Sequence, residues 1–221
     1  MTDRRTVGVV WSDFGGVLTP PVREAAEQVA AASGVPWPEL AAAAEQVADR
    51  LGLHGLGPLE LGILSQREWA DRLTACLTTR PRVDLRRWDE FWYADRPVNQ
   101  ALLDELHRIA AHGVPIGLLT NSVAEWEPHR TRMLAGQDIF TATVKSHQIR
   151  LAKPDPAIFR YADTVLPPPA GQHAVLIDDD LANCLAAEHH GWLTIHHLSP
   201  PDTVALLRRM RFTATDTSYW P

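Results

Sequence analysis

The chain has 221 residues, of which 45% are hydrophobic and 22% charged. That composition fits one globular domain, or one domain with a modest insertion, and excludes a disordered chain. The net charge of −6 argues against a broad electrostatic grip on nucleic acid. No apolar run reaches the roughly 18 residues that span a bilayer, so no membrane partner is expected.

Val7 to Trp11 is a short apolar run ending at Ser12-Asp13 and reads as a buried strand. Glycines 15 and 16 follow it. From Pro21 to Asp95 the pattern is helical. Val22 to Ser33 is stopped by Gly34, and the Ala-rich stretch from Pro38 to Leu51 is stopped by Gly52. His54 to Gly62, rich in glycine with one proline, reads as a loop. Ser65-Gln66-Arg67-Glu68 fits a capping box opening a helix over Gln66 to Leu77. Leu85 to Tyr93 is a short aromatic helix.

After Pro97 helices and strands alternate. Asn99 to His112 reads as an amphipathic helix and Pro115 to Leu119 as a strand running into Thr120-Asn121. Thr141 to Lys145 is a further strand, and Pro156 to Leu166 a helix. Ala174 to Ile177 is a strand running into Asp178-Asp179-Asp180. A helix over Leu181 to His190, a strand over Trp192 to His196 and a helix over Asp202 to Met210 complete the series. Such alternation predicts an α/β fold, a Rossmann-like parallel sheet with helices on both faces. The all-helical block reads as an inserted cap. The expected division is a core of residues 1–20 and 96–221, with a cap over residues 21–95.

In an open parallel sheet, ligands gather at the carboxyl ends of the strands. Three strands here end in polar residues: at Asp13, at Thr120-Asn121, and at Asp178-Asp179. Lys153-Pro154-Asp155-Pro156 opens a helix. Of the 21 basic residues only Lys145 and Lys153 are lysine, so a lysine in this chain carries more information than usual. Lys145 reads as the solvated end of a strand.

Each of these segments alone is a common turn or cap. Together and in order, Asp13-Phe14-Gly15-Gly16-Val17-Leu18, Leu118-Leu119-Thr120-Asn121-Ser122, Lys153 to Phe159 and Ile177 to Asn183 resemble the four motifs of the haloacid dehalogenase-like (HAD) hydrolase superfamily. The first motif is most similar to a subgroup that includes the N-terminal phosphatase domain of soluble epoxide hydrolases and bacterial sugar-1-phosphate phosphatases. The resemblance implies a helical cap after the first motif and a phosphatase acting on a small phosphorylated metabolite with Mg2+. It makes Asp13 the nucleophile, with an aspartyl-phosphate intermediate. Lys153 neutralises charge, and the Thr120 hydroxyl and Asn121 N–H hold phosphoryl oxygens. Gly15 and Gly16 let the backbone approach the phosphate. The Asp13 carboxylate, the Gly15 carbonyl and Asp179 hold the metal, which favours hard oxygen ligands. Asp179 is preferred because Asn183 lies four residues on, and Asp178 either ligates the metal or pairs with Lys153. Asp180 reads as a helix N-cap.

Gly15 departs from the pattern, because most phosphatases of the superfamily carry a second Asp there as general acid and base. Its loss costs on the order of 10²–10⁴ in rate, which points to substrates whose leaving group needs little protonation. His147 is the candidate replacement. Arg150 stands where many relatives have glycine. Two other readings compete: a metal-independent haloacid dehalogenase and a non-catalytic binding or regulatory member. The remaining histidines, His189-His190 and His196-His197, make no metal site unaided. Most tryptophans of the helical block are expected in its core, with one or two on the substrate face. The polar start of the chain, Met1 to Arg5, shows no signal peptide, and Cys76 and Cys184 make no disulfide framework. The expected compartment is the reducing cytoplasm.

Overall fold

The computed structural model describes residues 6–213; Met1 to Arg5 and the terminal Tyr219-Trp220 lie outside that range. Five strands stand side by side in the order β3-β2-β1-β4-β5, all parallel. They are β1 (Thr6–Ser12), β2 (Ile116–Thr120), β3 (Phe140–Lys145), β4 (His173–Asp178) and β5 (Leu193–His196). A two-residue strand, β6 (Arg211–Phe212), pairs with Thr6 and Val7 at the start of β1; two residues are too few to show a strand pattern.

The inner strands read as continuous apolar runs because both faces are buried. Alternate residues serve opposite faces. Val10, Ile116, Leu118, Val175 and Ile177 pack with Leu102, Leu106 and Leu207, from helices α6 (Gln100–Ala111) and α11 (Pro200–Arg209). Val9, Trp11, Leu119, Val144 and Leu176 pack with Phe159, Ala162 and Ala187, from α9 (Pro156–Val165) and α10 (Leu181–His190). Asn99 caps α6, Asp155 caps α9 and Asp180 caps α10, each through its side chain.

Between β1 and α6 the chain forms only helices. These are α1 (Val22–Ser33), α2 (Trp37–Asp49), α3 (Gly57–Glu60), α4 (Gln66–Cys76) and, after a single 3-10 turn, α5 (Trp88–Trp92). The capping box at Ser65 and Glu68 is complete, and Gly34 ends α1 in the left-handed conformation. The segment expected to be a loop contains α3. Its Pro58 at the start and the buried Leu59 supply a helix start and an apolar anchor that its glycines masked.

The helical block has its own core, built on Val29, Leu40, Trp69, Leu73, Trp88 and Trp92. Val123 and Trp126 join that cluster from beyond β2. Trp126 lies in a 3-10 turn leading into α7 (Glu127–Met133), and α8 (Ser146–Ile149) follows β3. Neither helix was legible in the sequence, because each is too short to show a period. The structure thus has the expected Rossmann-like core with helices on both faces. No helix among the described residues is long and apolar enough to cross a membrane.

Trp88 is 1% exposed and meets Trp69 edge-on, with ring centroids 4.9 Å apart. Trp88→Ala is expected to cost about 3–5 kcal/mol, read by denaturant unfolding. A cost below about 1 kcal/mol would place the core of the helical block elsewhere.

Candidate active site

The sheet order puts β1 at the point where the chain turns from one side of the sheet to the other. The crevice at the carboxyl end of such a strand is the usual ligand site. Register aligns Ser12 with Leu118 on one side and with Ile177 on the other. Asp13 therefore emerges level with the end of β4, which is Asp178, and beside Thr120 at the end of β2. The Asp13 N–H continues the ladder by donating to the Ile177 carbonyl at 2.8 Å.

Lys153 closes this crevice. Its ammonium lies 3.0 Å from Asp13 Oδ1 and 2.6 Å from Asp178 Oδ2, with no exposure of its side chain. Asn121 positions it from both directions: the Lys153 N–H donates to Asn121 Oδ1 at 2.8 Å, and Asn121 Nδ2 donates to the Lys153 carbonyl at 2.9 Å. Asp178 Oδ1 also accepts from Asn183 Nδ2 and from the Asp180 N–H, both at 2.9 Å. Asn183, whose spacing led to the choice of Asp179, makes its hydrogen bond to Asp178.

Asp179 reaches the cluster by another route. Gly16 has φ 72°, and a Cβ on it would lie 2.0 Å from Asp179 Oδ2. Only a residue without a side chain leaves room for that carboxylate. Gly15 is different. Its φ lies outside the left-handed region, and a Cβ there would meet only Val22 Cγ2, at 3.5 Å. The two glycines thus differ: Gly16 takes a left-handed backbone angle and Gly15 does not.

Oxygens of Asp13, Asp178 and Asp179 come within 4.8 Å of one another. One lysine faces three carboxylates, and burial makes the imbalance costly. Burial pushes Asp13 up to about 6 against the pull of Lys153, with Asp178 adding repulsion. Burial and the charges of Asp13 and Asp178 push Asp179 up to about 7. The two carboxylates hold Lys153 above the ordinary lysine range despite its burial. A cluster of hard oxygen donors that lacks positive charge suits a divalent cation such as Mg2+.

A cleft of about 270 Å³ opens above the cluster, lined by Asp13, Gly15, Thr120 and Asn121. Asp179 and Asp180 are also on its wall. Thr120 is buried, and its hydroxyl lies 3.3 Å from the Asn121 carbonyl. The sequence-derived residues Asp13, Gly15, Thr120, Asn121 and Asp179 thus share one cavity, with Lys153 and Asp178 beneath it.

The candidate replacement acid does not. The His147 Nδ1 lies 2.8 Å from Ser122 Oγ, and the residue is not among those lining the cleft. Lys145 ends β3 with its side chain 26% exposed, and its ammonium pairs with Glu127 at 2.7 Å. Arg150 takes the left-handed conformation that ends α8, at φ 55°, the backbone region that glycine adopts without steric cost. His196 lies near the Asp179 carbonyl, at 3.1 Å, and His197 meets the Thr203 hydroxyl at 2.8 Å. His190 pairs with Asp163.

Sequence reading missed Glu60, Tyr93, Trp126 and Arg130, all of which line the cleft. Trp92 is the tryptophan of the helical block that lies there. Arg130 is 4% exposed and is held by the Val123 carbonyl and Glu127. No local pattern marks these residues, since they reach the cavity through the packing of short elements.

The chain matches the family model described as haloacid dehalogenase-like hydrolase over residues 7–191. No curated protein sequence matches it. Among solved structures it is similar to a HAD-like family hydrolase from Porphyromonas gingivalis, at 20% identity and TM-score 0.64, covering 92% of this chain and 98% of that one. It is also similar to the magnesium complex of a HAD family enzyme from Bacteroides thetaiotaomicron, at 21% identity and TM-score 0.62, covering 86% and 93%. An L-2-haloacid dehalogenase from Xanthobacter autotrophicus is similar at 15% identity and TM-score 0.60, covering 86% and 76%. At these identities the solved structures support the fold, while the family match runs from β1 to the end of α10 and takes in every motif of the site. The chain belongs to the haloacid dehalogenase-like hydrolases.

Proposed function

We propose that this hydrolase is a magnesium-dependent phosphatase of small phosphorylated metabolites, working through an aspartyl-phosphate on Asp13. The observation that carries the reading is the charge pattern of the crevice. Three clustered carboxylates face a single buried lysine. A halide leaving group asks for no such cluster, whereas a phosphoryl group asks for concentrated positive charge. The Bacteroides enzyme has been solved with magnesium and inorganic phosphate, which is consistent with this reading.

In this reading Lys153 keeps Asp13 ionised and aims its free oxygen at phosphorus. Thr120 Oγ1 and the Asn121 N–H hold the phosphoryl oxygens as charge builds on them. Asp13, Asp179 and the Gly15 carbonyl would hold the metal, with Asp178 at its side and paired to Lys153. A magnesium ion held there would supply positive charge against the phosphoryl oxygens. Residues 21–95 act as the cap that excludes water, over a core of residues 1–20 and 96–221. The free thiols of Cys76 and Cys184 accord with a cytoplasmic enzyme.

Asp13→Asn is expected to abolish magnesium-dependent hydrolysis of p-nitrophenyl phosphate while leaving the chain folded, since the two side chains are close to isosteric and Lys153 keeps its pair with Asp178. Retention of more than a small fraction of the rate would remove Asp13 as nucleophile. Hydrolysis of a 2-haloacid that survives a chelator would favour the dehalogenase reading, and no turnover of either class would favour the non-catalytic one.

Protons compete with the cation for Asp13 and Asp179, whose pKa values are raised to about 6 and about 7. Raised carboxylate pKa values mean that deprotonation in the fold is unfavourable. Magnesium is therefore expected to raise the Tm more at about pH 8 than at about pH 5. An equal shift at both would place the cation away from these carboxylates. Gly16→Ala, which pushes a methyl into Asp179, is expected to remove most of the magnesium-dependent Tm shift.

A further inference from the structure

The cleft contains one carboxylic acid that no motif accounts for. Glu60 ends α3 in the helical block and lines the cavity with Asp13, Gly15 and Asp179. Its placement is fixed from both sides. Leu59 beside it is buried in the core of the block. Its own carbonyl accepts from Ser146 Oγ at 2.5 Å, and that hydroxyl in turn accepts from the Ser122 N–H at 2.8 Å. Ser122 follows Thr120-Asn121 directly. One short chain of hydrogen bonds thus ties Glu60 to the segment expected to hold the phosphoryl group.

Nothing among the described residues hydrogen-bonds or ion-pairs the Glu60 carboxyl, although Asp13, Lys153 and Arg130 act on it electrostatically. Across the cavity, Gly15 leaves room that a side chain could fill, since a Cβ there meets only Val22. The chain has an acid on the helical block and an open space at Gly15.

We propose that Glu60 is the proton donor and acceptor of this site, in place of the carboxyl group that Gly15 lacks. The inference rests on the aspartyl-phosphate reading above. In the first half-reaction a carboxylate oxygen of Asp13 bonds to phosphorus, the bond from phosphorus to the leaving oxygen breaks, and that oxygen takes the Glu60 proton and departs as an alcohol. In the second, water attacks phosphorus, Glu60 carboxylate takes a proton from it, and the bond from phosphorus to Asp13 breaks. Inorganic phosphate leaves, with Asp13 again ionised and Glu60 again protonated. Burial and the Asp13 charge push Glu60 up to about 7, close to the value that suits a group doing both tasks near neutral pH.

The test uses magnesium-loaded full-length protein and a series of aryl phosphates of similar shape but graded leaving-group acidity: p-nitrophenyl, phenyl and p-methoxyphenyl phosphate. In the wild type, kcat/KM is expected to vary little along the series. In Glu60→Gln it is expected to fall by about 10²-fold or more for phenyl and p-methoxyphenyl phosphate and by only about threefold for p-nitrophenyl phosphate. The same variant is expected to release a burst of one p-nitrophenolate per active site, because the water step is left without its base and aspartyl-phosphate accumulates. Gly15→Asp placed in the Glu60→Gln background is expected to restore the flat dependence, since the open space accepts a carboxylate. A structural role for Glu60 moves none of these three readouts selectively.

An equal loss along the whole series, or no loss, overturns the inference and leaves the phosphatase reading standing. A wild type that turns over none of the three, with Asp13→Asn indistinguishable from it, overturns both.

Discussion

The Lys153 ammonium sits between Asp13 and Asp178 with its side chain fully buried, and the rest of the site depends on it. Three adjacent elements end at this point: β1, β4 and the turn that opens α9. Without the lysine two carboxylates would face each other at the carboxyl end of a parallel sheet in a medium of low dielectric. Breaking a buried pair of this kind costs about 3–5 kcal/mol, because the partner is left charged and unsolvated. The chain uses lysine only twice. At this position a compact ammonium can contact both oxygens, whereas a planar guanidinium needs more width.

The lysine does not balance the site. A third carboxylate, Asp179, is brought in by the missing side chain at Gly16, and its raised pKa records the excess negative charge. A chain folded for stability alone gains nothing from such an arrangement. It becomes favourable when a cation shares the carboxylates, which links the folding energetics of the crevice to its chemistry.

The helical block is tied to the core by polar contacts as well as by apolar packing. Trp126 donates through its indole to Gln66 Oε1, and the Gln66 N–H donates to Glu125 at 2.9 Å. Gln66 Nε2 donates to Asp89 at 2.6 Å, and Asp89 meets His129 at 2.9 Å. Together with the Ser146 bond to the Glu60 carbonyl, these contacts fix the wall of the cleft relative to its floor. Trp92, Tyr93 and Trp126 make that wall aromatic, and burial pushes the Tyr93 phenol up to about 12. The cleft is thus aromatic on one side and charged on the other.

The sequence by itself determined the α/β alternation, the helical insertion and the four segments that meet in the crevice. Those features are local: strand hydrophobicity, glycine stops, the Ser65 capping box and polar residues at strand ends are each encoded within a few positions. Asp13, Thr120, Lys153 and Asp179 were legible because a strand end or a helix start delivers them to the same edge of the sheet. Only the tertiary structure decided what surrounds them. It gave Asn183 to Asp178, turned His147 toward Ser122, paired Lys145 with Glu127, and put the left-handed backbone at Gly16 while leaving Gly15 open. It also brought Glu60 and Arg130 into the cavity from elements too short to carry a period. The reason is physical. A side chain's partner is set by distances between segments far apart in sequence, and burial sets its charge state. Neither quantity exists until the insertion has packed against the sheet.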